Sequence, residues 1–149
     1  MNIGDLIEDF ALPDQEGEVR KLSQLLDSGP VVLFFYPAAM TPGCTAESCH
    51  FRDLAFEFKT AGAQRVGIST DAVGKQKQFS ELNNFDYPLL ADVDGTVAKQ
   101  FGVKRRFGPL PVKRHTFVIG TDLRLKGKIS SEFNMTSHAD KALEVLSRL

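Results

Sequence analysis

Two cysteines, Cys44 and Cys49, are the residues of this chain whose type and spacing most directly suggest chemistry. Cys44 follows Pro42 and Gly43 at the junction between a predicted strand and a predicted helix. The start of a helix presents unpaired backbone N–H groups and the positive end of the helix dipole. A cysteine in that position ionises more readily, and the thiolate is its nucleophilic form. The sequence therefore predicts that Cys44 is a reactive nucleophile.

Three other interpretations of the cysteine pair stay open when the residues are taken alone. Free cysteine is often buried, so Cys44 could be an ordinary core thiol. A zinc site would need four ligands, and only His50, His115 and His138 could be added as histidine ligands to the two cysteines. A dithiol oxidoreductase of the C-x-x-C type requires a shorter spacing than the C-x4-C found here. We therefore disfavour a metal site, and we expect no cofactor.

The composition is that of an ordinary globular protein and excludes several classes of function. Apolar residues make up 42% and charged residues 25% of the 149 residues, which predicts one domain over residues 1–149. The formal net charge of −1 gives no electrostatic footprint for nucleic acid or an anionic membrane. The first residues lack the basic and apolar regions of a signal peptide, so we expect a cytoplasmic protein with reduced thiols.

The predicted elements that must position the cysteines alternate between strands and helices. They are, in order, a hairpin at residues 9–22, a short helix capped by Ser23, a buried strand at 31–36, a helix after Cys44 with Phe51, Leu54, Ala55 and Phe58 on its apolar face, a strand at 64–69, a helix capped by Asp71, a strand at 87–91, a short helix at 96–101, a basic loop at 104–113, two strands at 114–119 and 123–129, and a final helix capped by Ser137.

This order of elements predicts an α/β fold. Alternating strands and helices imply a partly parallel sheet with helices on both faces. The antiparallel pair near the end of the chain makes the sheet mixed. The pattern suits a thioredoxin-like fold with a mixed central sheet flanked by helices and an N-terminal β-hairpin, although periodicity alone does not separate it from other α/β folds.

Five positions carry a resemblance to a known family. Pro37, Thr41 and Cys44 fit the signature P-x-x-x-T-x-x-C, Cys49 follows five residues later, and Arg114 precedes a T-F-x-I strand. The chain resembles the peroxiredoxins, in particular the bacterioferritin-comigratory or peroxiredoxin Q branch. The resemblance extends from GDLIEDFALPDQEG to RHTFVIG and, more loosely, to the last helix.

The resemblance implies a thiol peroxidase that reduces hydrogen peroxide and organic hydroperoxides. Cys44 would be the peroxidatic cysteine, which is oxidised to a sulfenic acid. Cys49 would be the resolving cysteine, which forms an intramolecular disulfide with Cys44. Thioredoxin or a similar dithiol reductant would then restore both thiols. We expect a monomer or a weak homodimer, with neither nucleic acid nor membrane as a partner.

The same resemblance implies supporting roles for residues around Cys44. The Thr41 hydroxyl can hold the thiolate and the peroxide, and Arg114 supplies a permanent cation that favours the thiolate. The amides of Gly43 and Cys44 could bind the peroxide oxygens. Glu47, one turn after Cys44, could orient Arg114, or it could be an acidic residue at position N3 that only favours the helix dipole.

Two segments depart from the family pattern. Residues 38–40 are Ala-Ala-Met where charged residues are frequent, and the loop at 104–113 is also unusual. A less polar entrance predicts tolerance of organic hydroperoxides beside hydrogen peroxide. The alternative functions are a non-catalytic redox switch of thioredoxin-like fold, which changes partners through the two cysteines, and a disulfide reductase.

Overall fold

Five strands form the central sheet of the protein, seen in a computed structural model that describes residues 1–149. The strands of the molecule are β1 (Ala11–Pro13), β2 (Val19–Lys21), β3 (Val31–Phe35), β4 (Gln64–Ser69), β5 (Leu89–Ala91), β6 (His115–Ile119) and β7 (Leu125–Ser130). The central sheet has the order β5-β4-β3-β6-β7, and β1 and β2 form a separate hairpin. Strand β4 runs parallel to β3 and β5, whereas β6 runs antiparallel to β3 and β7.

The middle strand, β3, is buried along its whole length because both faces of the sheet are covered. Its side chains alternate between the two faces, as the period of a strand requires. Leu33 and Phe35 enter one apolar cluster, and Val32 and Phe34 enter the other. The continuous apolar sequence of β3 therefore reflects two cores rather than one.

Six helices cover the two faces. They are α1 (Leu22–Leu25, followed by a 3-10 turn at Leu26–Ser28), α2 (Pro42–Asp53), α3 (Ala55–Thr60), α4 (Val73–Asn83), α5 (Thr96–Gln100) and α6 (Ser137–Leu146). Helices α1 and α5 contribute to the cluster of Phe35, and α2, α3, α4 and α6 contribute to that of Phe34. None of them combines the length and apolar character that crossing a bilayer demands. The predicted thioredoxin-like α/β architecture with its N-terminal hairpin is confirmed.

The three predicted helix caps are wrong, because none of these residues occupies the N-cap position of its helix. Ser23 is the second residue of α1, which begins at Leu22 without a side-chain cap. The Asp71 carboxylate makes no cap hydrogen bond to α4; it accepts a hydrogen bond from the Ala39 amide at 2.7 Å and pairs with Lys75 at 3.6 Å. Ser137 is the first residue of α6, and its hydroxyl donates to the backbone carbonyl three residues earlier.

The helix that carries the cysteines begins earlier and ends sooner than its sequence predicts. Helix α2 starts at Pro42, before Cys44, and ends at Asp53. Leu54 leaves the helical conformation and separates α2 from α3. Phe51 and Phe58 nevertheless both stay buried against the sheet. The predicted apolar face is therefore preserved across a break in the backbone.

Three strands begin later than predicted. Strand β5 begins at Leu89, after Pro88, which has no N–H to donate. Strand β6 begins at His115, so Arg114 is the residue just before the strand. Strand β7 begins at Leu125, because Leu123 has a φ of 61° in the preceding turn.

Candidate active site

Cys44 lies at the carboxyl end of the central strand. Strand β3 ends at Phe35, and Pro37 begins the loop that leads to α2. Cys44 is the third residue of α2, and its side chain is only 1% exposed at the edge of the Phe34 cluster. The site therefore lies at a strand-to-helix junction, as the sequence predicts, and its thiol is buried.

Arg114 reaches Cys44 from the position just before the neighbouring strand, β6. The antiparallel pairing of β3 with β6 places His115 opposite Phe35, so Arg114 lies beside the loop that follows β3. Its Nη2 donates to Cys44 Sγ at 3.2 Å, and its Nη1 donates to Glu47 Oε1 at 3.1 Å. The fold thus brings together three predicted site residues that come from two elements distant in sequence.

Glu47 is fully buried, which the sequence did not predict. Because α2 begins at Pro42, Glu47 lies in the second turn of the helix rather than at position N3. Burial raises the pKa of Glu47 from its ordinary 4.5 to about 8, against the opposing charge of Arg114. Its Oε2 has no hydrogen-bond partner. A buried carboxyl that contacts Arg114 thus fits the predicted orienting role better than a dipole effect at the helix surface.

Arg114 is a buried cation whose charge is kept by its neighbours. Burial disfavours the charged form, but Glu47 and Cys44 outweigh that effect and raise the pKa of Arg114 above its ordinary value. A guanidinium is charged at any physiological pH in any case. The thiol therefore faces a permanent positive charge in a region with little solvent.

Thr41 and Gly43 flank the thiol on the N-terminal side. The Thr41 hydroxyl donates to the Ala38 carbonyl at 2.8 Å, so its oxygen lone pairs remain available to accept. The amides of Gly43 and Cys44 donate to no acceptor in the protein. A Cβ at Gly43 would lie in van der Waals contact with Arg114 Nη2, at 3.4 Å.

Cys49 is not in contact with Cys44. It lies half-buried in the same helix, and both cysteines are free thiols. Cys49 Sγ donates to the side-chain oxygen of Asn83 at 3.6 Å. Arg52 also reaches Asn83, at its backbone carbonyl, at 2.8 Å. The structure therefore places the second thiol against the C-terminal end of α4.

His138 belongs to the surroundings of the site, although the sequence suggested it only as a weak zinc candidate. It is buried, with Nδ1 2.7 Å from the Thr116 hydroxyl and Nε2 2.8 Å from the Ser131 carbonyl. Since a carbonyl only accepts, Nε2 carries the proton and Nδ1 accepts from Thr116. Burial lowers the pKa of His138, which favours this neutral form. Nε2 also lies 3.6 Å from Glu47 Oε2.

Glu132 is a second residue that the sequence did not reveal. Its Oε1 accepts from the Arg114 amide at 3.1 Å and from Arg105 Nη2 at 3.0 Å. Glu132 thereby fixes the backbone of Arg114 and joins it to the basic loop at residues 104–113. A single acidic residue in a short loop offers no periodicity from which this contact could be predicted.

The histidines that could have been zinc ligands have separate partners. His50 Nε2 lies 2.8 Å from Asp140 Oδ1, and His115 Nε2 lies 3.0 Å from the Ser130 hydroxyl. No three His, Cys, Asp or Glu side chains are grouped so that they could hold a metal ion.

Comparison with known proteins places these features in a family. The model of the AhpC/TSA family matches residues 3–128. A relative from Mycobacterium tuberculosis that carries the peroxiredoxin name is 66% identical over 148 residues, covering 98% of this chain and 96% of that protein. The chloroplastic peroxiredoxin Q of Sedum lineare is 40% identical over 141 residues, covering 94% of this chain and 75% of that protein. The crystal structure of the peroxidoxin BcpB from Mycobacterium tuberculosis superposes with a TM-score of 0.96 at 64% identity, covering 100% of this chain and 98% of that one.

Proposed function

Because this chain belongs to the AhpC/TSA family, in its peroxiredoxin Q and Bcp branch, we propose that it reduces hydrogen peroxide and organic hydroperoxides through Cys44 and Cys49. Membership of this family implies thiol peroxidase activity. The observation that best supports the assignment of Cys44 is the 3.2 Å contact between its sulfur and the buried Arg114 guanidinium. A cation in this position stabilises the thiolate and the charge that develops on a departing oxygen.

The proposed first step is a two-electron oxidation of Cys44. The thiolate sulfur attacks the peroxide oxygen that carries the hydrogen, and an S–O bond forms as the O–O bond breaks. The sulfur becomes a sulfenic acid, and the other oxygen takes up a proton and leaves as water or an alcohol. The Thr41 hydroxyl and the free amides of Gly43 and Cys44 are the groups we assign to binding the peroxide oxygens.

The proposed second step forms a disulfide between Cys44 and Cys49. The Cys49 thiolate attacks the sulfenic sulfur, and the hydroxyl group leaves as water. Two residues five apart in an ideal helix have Cα atoms ~8.7 Å apart, whereas a disulfide requires ~4.4–6.8 Å. Because both cysteines lie inside α2, the first turns of this helix must unwind before the bond can close.

The contacts of α2 indicate which part can unwind. Its C-terminal half is fixed by two side chains: Tyr87, just before β5, donates to the Ser48 carbonyl at 2.7 Å, and Arg65, in β4, donates to the Phe51 carbonyl at 3.0 Å. The side chain of Phe51 also stacks on Phe34 with ring centroids 4.0 Å apart. The first turns are tethered mainly through Arg114. Oxidation of the thiolate to a neutral sulfenic acid weakens that tether, which favours release of these turns.

We further propose that a dithiol reductant, thioredoxin or a similar protein, reduces the disulfide. The resemblance to peroxiredoxin Q supports this assignment, and a two-electron thiol–disulfide exchange balances the cycle. Such a cycle requires a compartment that keeps thiols reduced, which is consistent with a cytoplasmic location. We propose that the chain acts as one domain, as a monomer or weak homodimer.

Peroxide consumption in the presence of thioredoxin, thioredoxin reductase and NADPH tests the function. The wild type should turn over, and Cys44→Ser should be inactive. Cys49→Ser should complete one turnover and accumulate a sulfenic acid that a trapping reagent labels. Retention of a near-normal single turnover by Cys44→Ser would show that another group reacts. A wild type that forms the disulfide only with a strong oxidant and never consumes peroxide would favour the redox-switch alternative.

A further inference from the structure

The loop between β3 and α2 contains a strained residue next to Thr41. Met40 has a φ of 65°, a left-handed conformation that residues with a Cβ rarely adopt. A residue stays in such a conformation where the surrounding contacts hold it there. The contacts that hold this loop therefore bear on the positions of Thr41 and Cys44.

The carboxylate of Asp71 reaches this loop from the segment between β4 and α4. Its Oδ2 accepts from the Ala39 amide at 2.7 Å and from the Ser69 hydroxyl at 2.7 Å. The Ser69 oxygen in turn accepts from the Asp71 amide at 3.2 Å. Ala39 is buried, and a hydrogen bond to a carboxylate is shorter and stronger than one between neutral groups.

A buried network holds Asp71 in place. The side-chain amide of Gln76 in α4 donates to the Ser69 hydroxyl at 3.0 Å and to the Leu90 carbonyl at 2.8 Å. Its side-chain oxygen accepts from the Tyr36 hydroxyl at 2.5 Å. Gln76, Tyr36 and Ser69 are all buried. The network joins Asp71 to β4, β5 and α4, so its carboxylate has little freedom to move.

A single peptide group connects Asp71 to Thr41. The N–H of Ala39 and the carbonyl of Ala38 belong to the same planar unit. Asp71 accepts from that N–H, and the carbonyl accepts from the Thr41 hydroxyl at 2.8 Å. An anion on the N–H side makes the carbonyl a better acceptor, because hydrogen bonds in a chain polarise one another. The Thr41 proton is thereby directed into the loop and its lone pairs away from it.

We propose that Asp71 is a positioning residue of the peroxidase site, which fixes the Ala38–Ala39 peptide and, through it, the Thr41 hydroxyl. The proposal rests on the function proposed above and gives Asp71 no contact with the peroxide. Loss of the carboxylate should slow the reaction with peroxide more than the reaction of the same thiolate with an electrophile that Thr41 does not position.

Two reactions of Cys44, measured in a Cys49→Ser background, separate these effects. They are single-turnover oxidation by hydrogen peroxide and alkylation by iodoacetamide. Asp71→Ala should slow oxidation about ten- to hundredfold and alkylation by less than about threefold, since a shift of ~1 Å in a site can cost ~10² in rate. Asp71→Asn, which keeps an oxygen acceptor for the Ala39 amide, should recover most of the lost rate.

A double variant tests the route through Thr41. If both residues act through one hydroxyl, Asp71→Ala combined with Thr41→Val should oxidise no more slowly than Thr41→Val alone, because effects within one unit are not additive. If the double variant is slowed by the product of the two single-variant factors, this route is overturned.

Asp92 offers a matched control. Its buried carboxylate accepts from the amides of Val97 and Ala98, away from the loop. Asp92→Ala should lower stability and leave the peroxide rate unchanged. An Asp71→Ala protein that behaves in the same way would overturn the proposal.

If the Asp71→Ala variant does not fold, Asp71→Glu keeps the charge and displaces the acceptor. A wild-type peroxide rate in Asp71→Glu would also overturn the proposal. A wild type without peroxidase activity would instead overturn the proposed function.

Discussion

At the scale of single residues, one guanidinium donates hydrogen bonds to two acidic side chains. Arg114 donates to Cys44 Sγ at 3.2 Å and to Glu47 Oε1 at 3.1 Å inside a buried site. Replacing Arg114 by Met keeps much of its bulk and removes its charge. We expect oxidation by peroxide to slow by about 10²–10³-fold, as when one preorganised donor is lost from an active site. Stopped-flow detection of the thiolate absorbance measures this rate against a low background, because the chain has no tryptophan.

The matched control for this change is Arg105→Met. Arg105 contacts Glu132, which also binds the Arg114 backbone, but it does not contact Cys44. Oxidation of this variant should remain within a few-fold of the wild-type rate. Equal rates in the Arg114→Met variant and the wild type would assign Arg114 a structural role only.

The raised pKa of Glu47 predicts a pH-dependent stability. The folded protein keeps a proton on Glu47 up to about pH 8, whereas the unfolded chain releases it near pH 4.5. The stability that this proton contributes is full below pH 4.5 and is lost as the pH rises to about 8, at roughly 1.4 kcal/mol per unit. Glu47→Gln cannot titrate, so its free energy of unfolding relative to the wild type should increase across this interval.

Urea unfolding of both proteins at several pH values between 5 and 8 measures the difference. Burial lowers the pKa of His138, which makes stability rise with pH below about 6.5, so the slope between pH 6.5 and 8 reports Glu47 most directly. The Glu57→Gln variant makes the same exchange at an exposed position and is the matched control. A flat difference for Glu47→Gln would mean that Glu47 is already ionised in the folded protein.

The sequence predicted Cys44, Thr41 and Arg114 as site residues because a recognisable local pattern surrounds each of them. It did not predict the burial of Glu47, which lies off the apolar face of α2 on a helical wheel. Glu47 is buried because its partner, Arg114, comes from just before β6, 67 residues away along the chain. His138 and Glu132 were missed for the same reason, since no local periodicity records a contact made by another element.

At the scale of elements, α2 is fixed at one end and loosely held at the other. Tyr87→Phe removes the hydrogen bond to the Ser48 carbonyl, at a cost of about 1 kcal/mol in stability. The freed turn should unwind more readily, so the disulfide between Cys44 and Cys49 should form faster after peroxide is added. Rapid quenching with a thiol-alkylating reagent and mass measurement follow this step.

Tyr36→Phe is the control for this prediction. It also removes a buried hydroxyl, but one that bonds Gln76 rather than α2. It should lower stability without speeding disulfide formation. If both variants speed the step equally, a general loss of stability, and not the release of Ser48, controls it.

The break between α2 and α3 shows why element boundaries were only partly predictable. The apolar face of residues 51–58 has the period of one helix, and no glycine or proline interrupts it. Arg65, from β4, donates to the Phe51 carbonyl and pairs with Asp86, so the end of α2 is capped from outside. A cap supplied by another strand has no signature in the helix that it ends.

At the scale of the whole molecule, tight packing around the sheet predicts unequal effects of similar substitutions. A Cβ at Gly67 in β4 would lie 2.7 Å from the Leu89 side chain and 3.1 Å from Phe34. Gly67→Ala should therefore destabilise the protein by about 1–3 kcal/mol. A Cβ at Gly74 in α4 would meet nothing within 4 Å, so Gly74→Ala should stabilise by about 0.5–1 kcal/mol.

Thermal unfolding of the two variants measures both changes, and each serves as the control for the other. A Gly67→Ala protein as stable as the wild type would show that the Leu89 side chain can move aside without cost. The order of strands and helices was predictable because each apolar run was short and bounded by turn residues. The two-sided burial of β3 follows from the way those elements pack across the chain.

The hydrogen bond from Tyr87 to α2 also gives the protein an intrinsic optical reporter. The chain has two tyrosines and no tryptophan, so its near-ultraviolet emission comes from two buried rings. The ring of Tyr87 lies beneath the Arg65 guanidinium at 5.0 Å, and its hydroxyl is bonded to the helix that carries both cysteines. Rearrangement of that helix changes the surroundings of one of only two fluorophores. The redox state of the thiols should therefore be readable from the emission of the unlabelled protein.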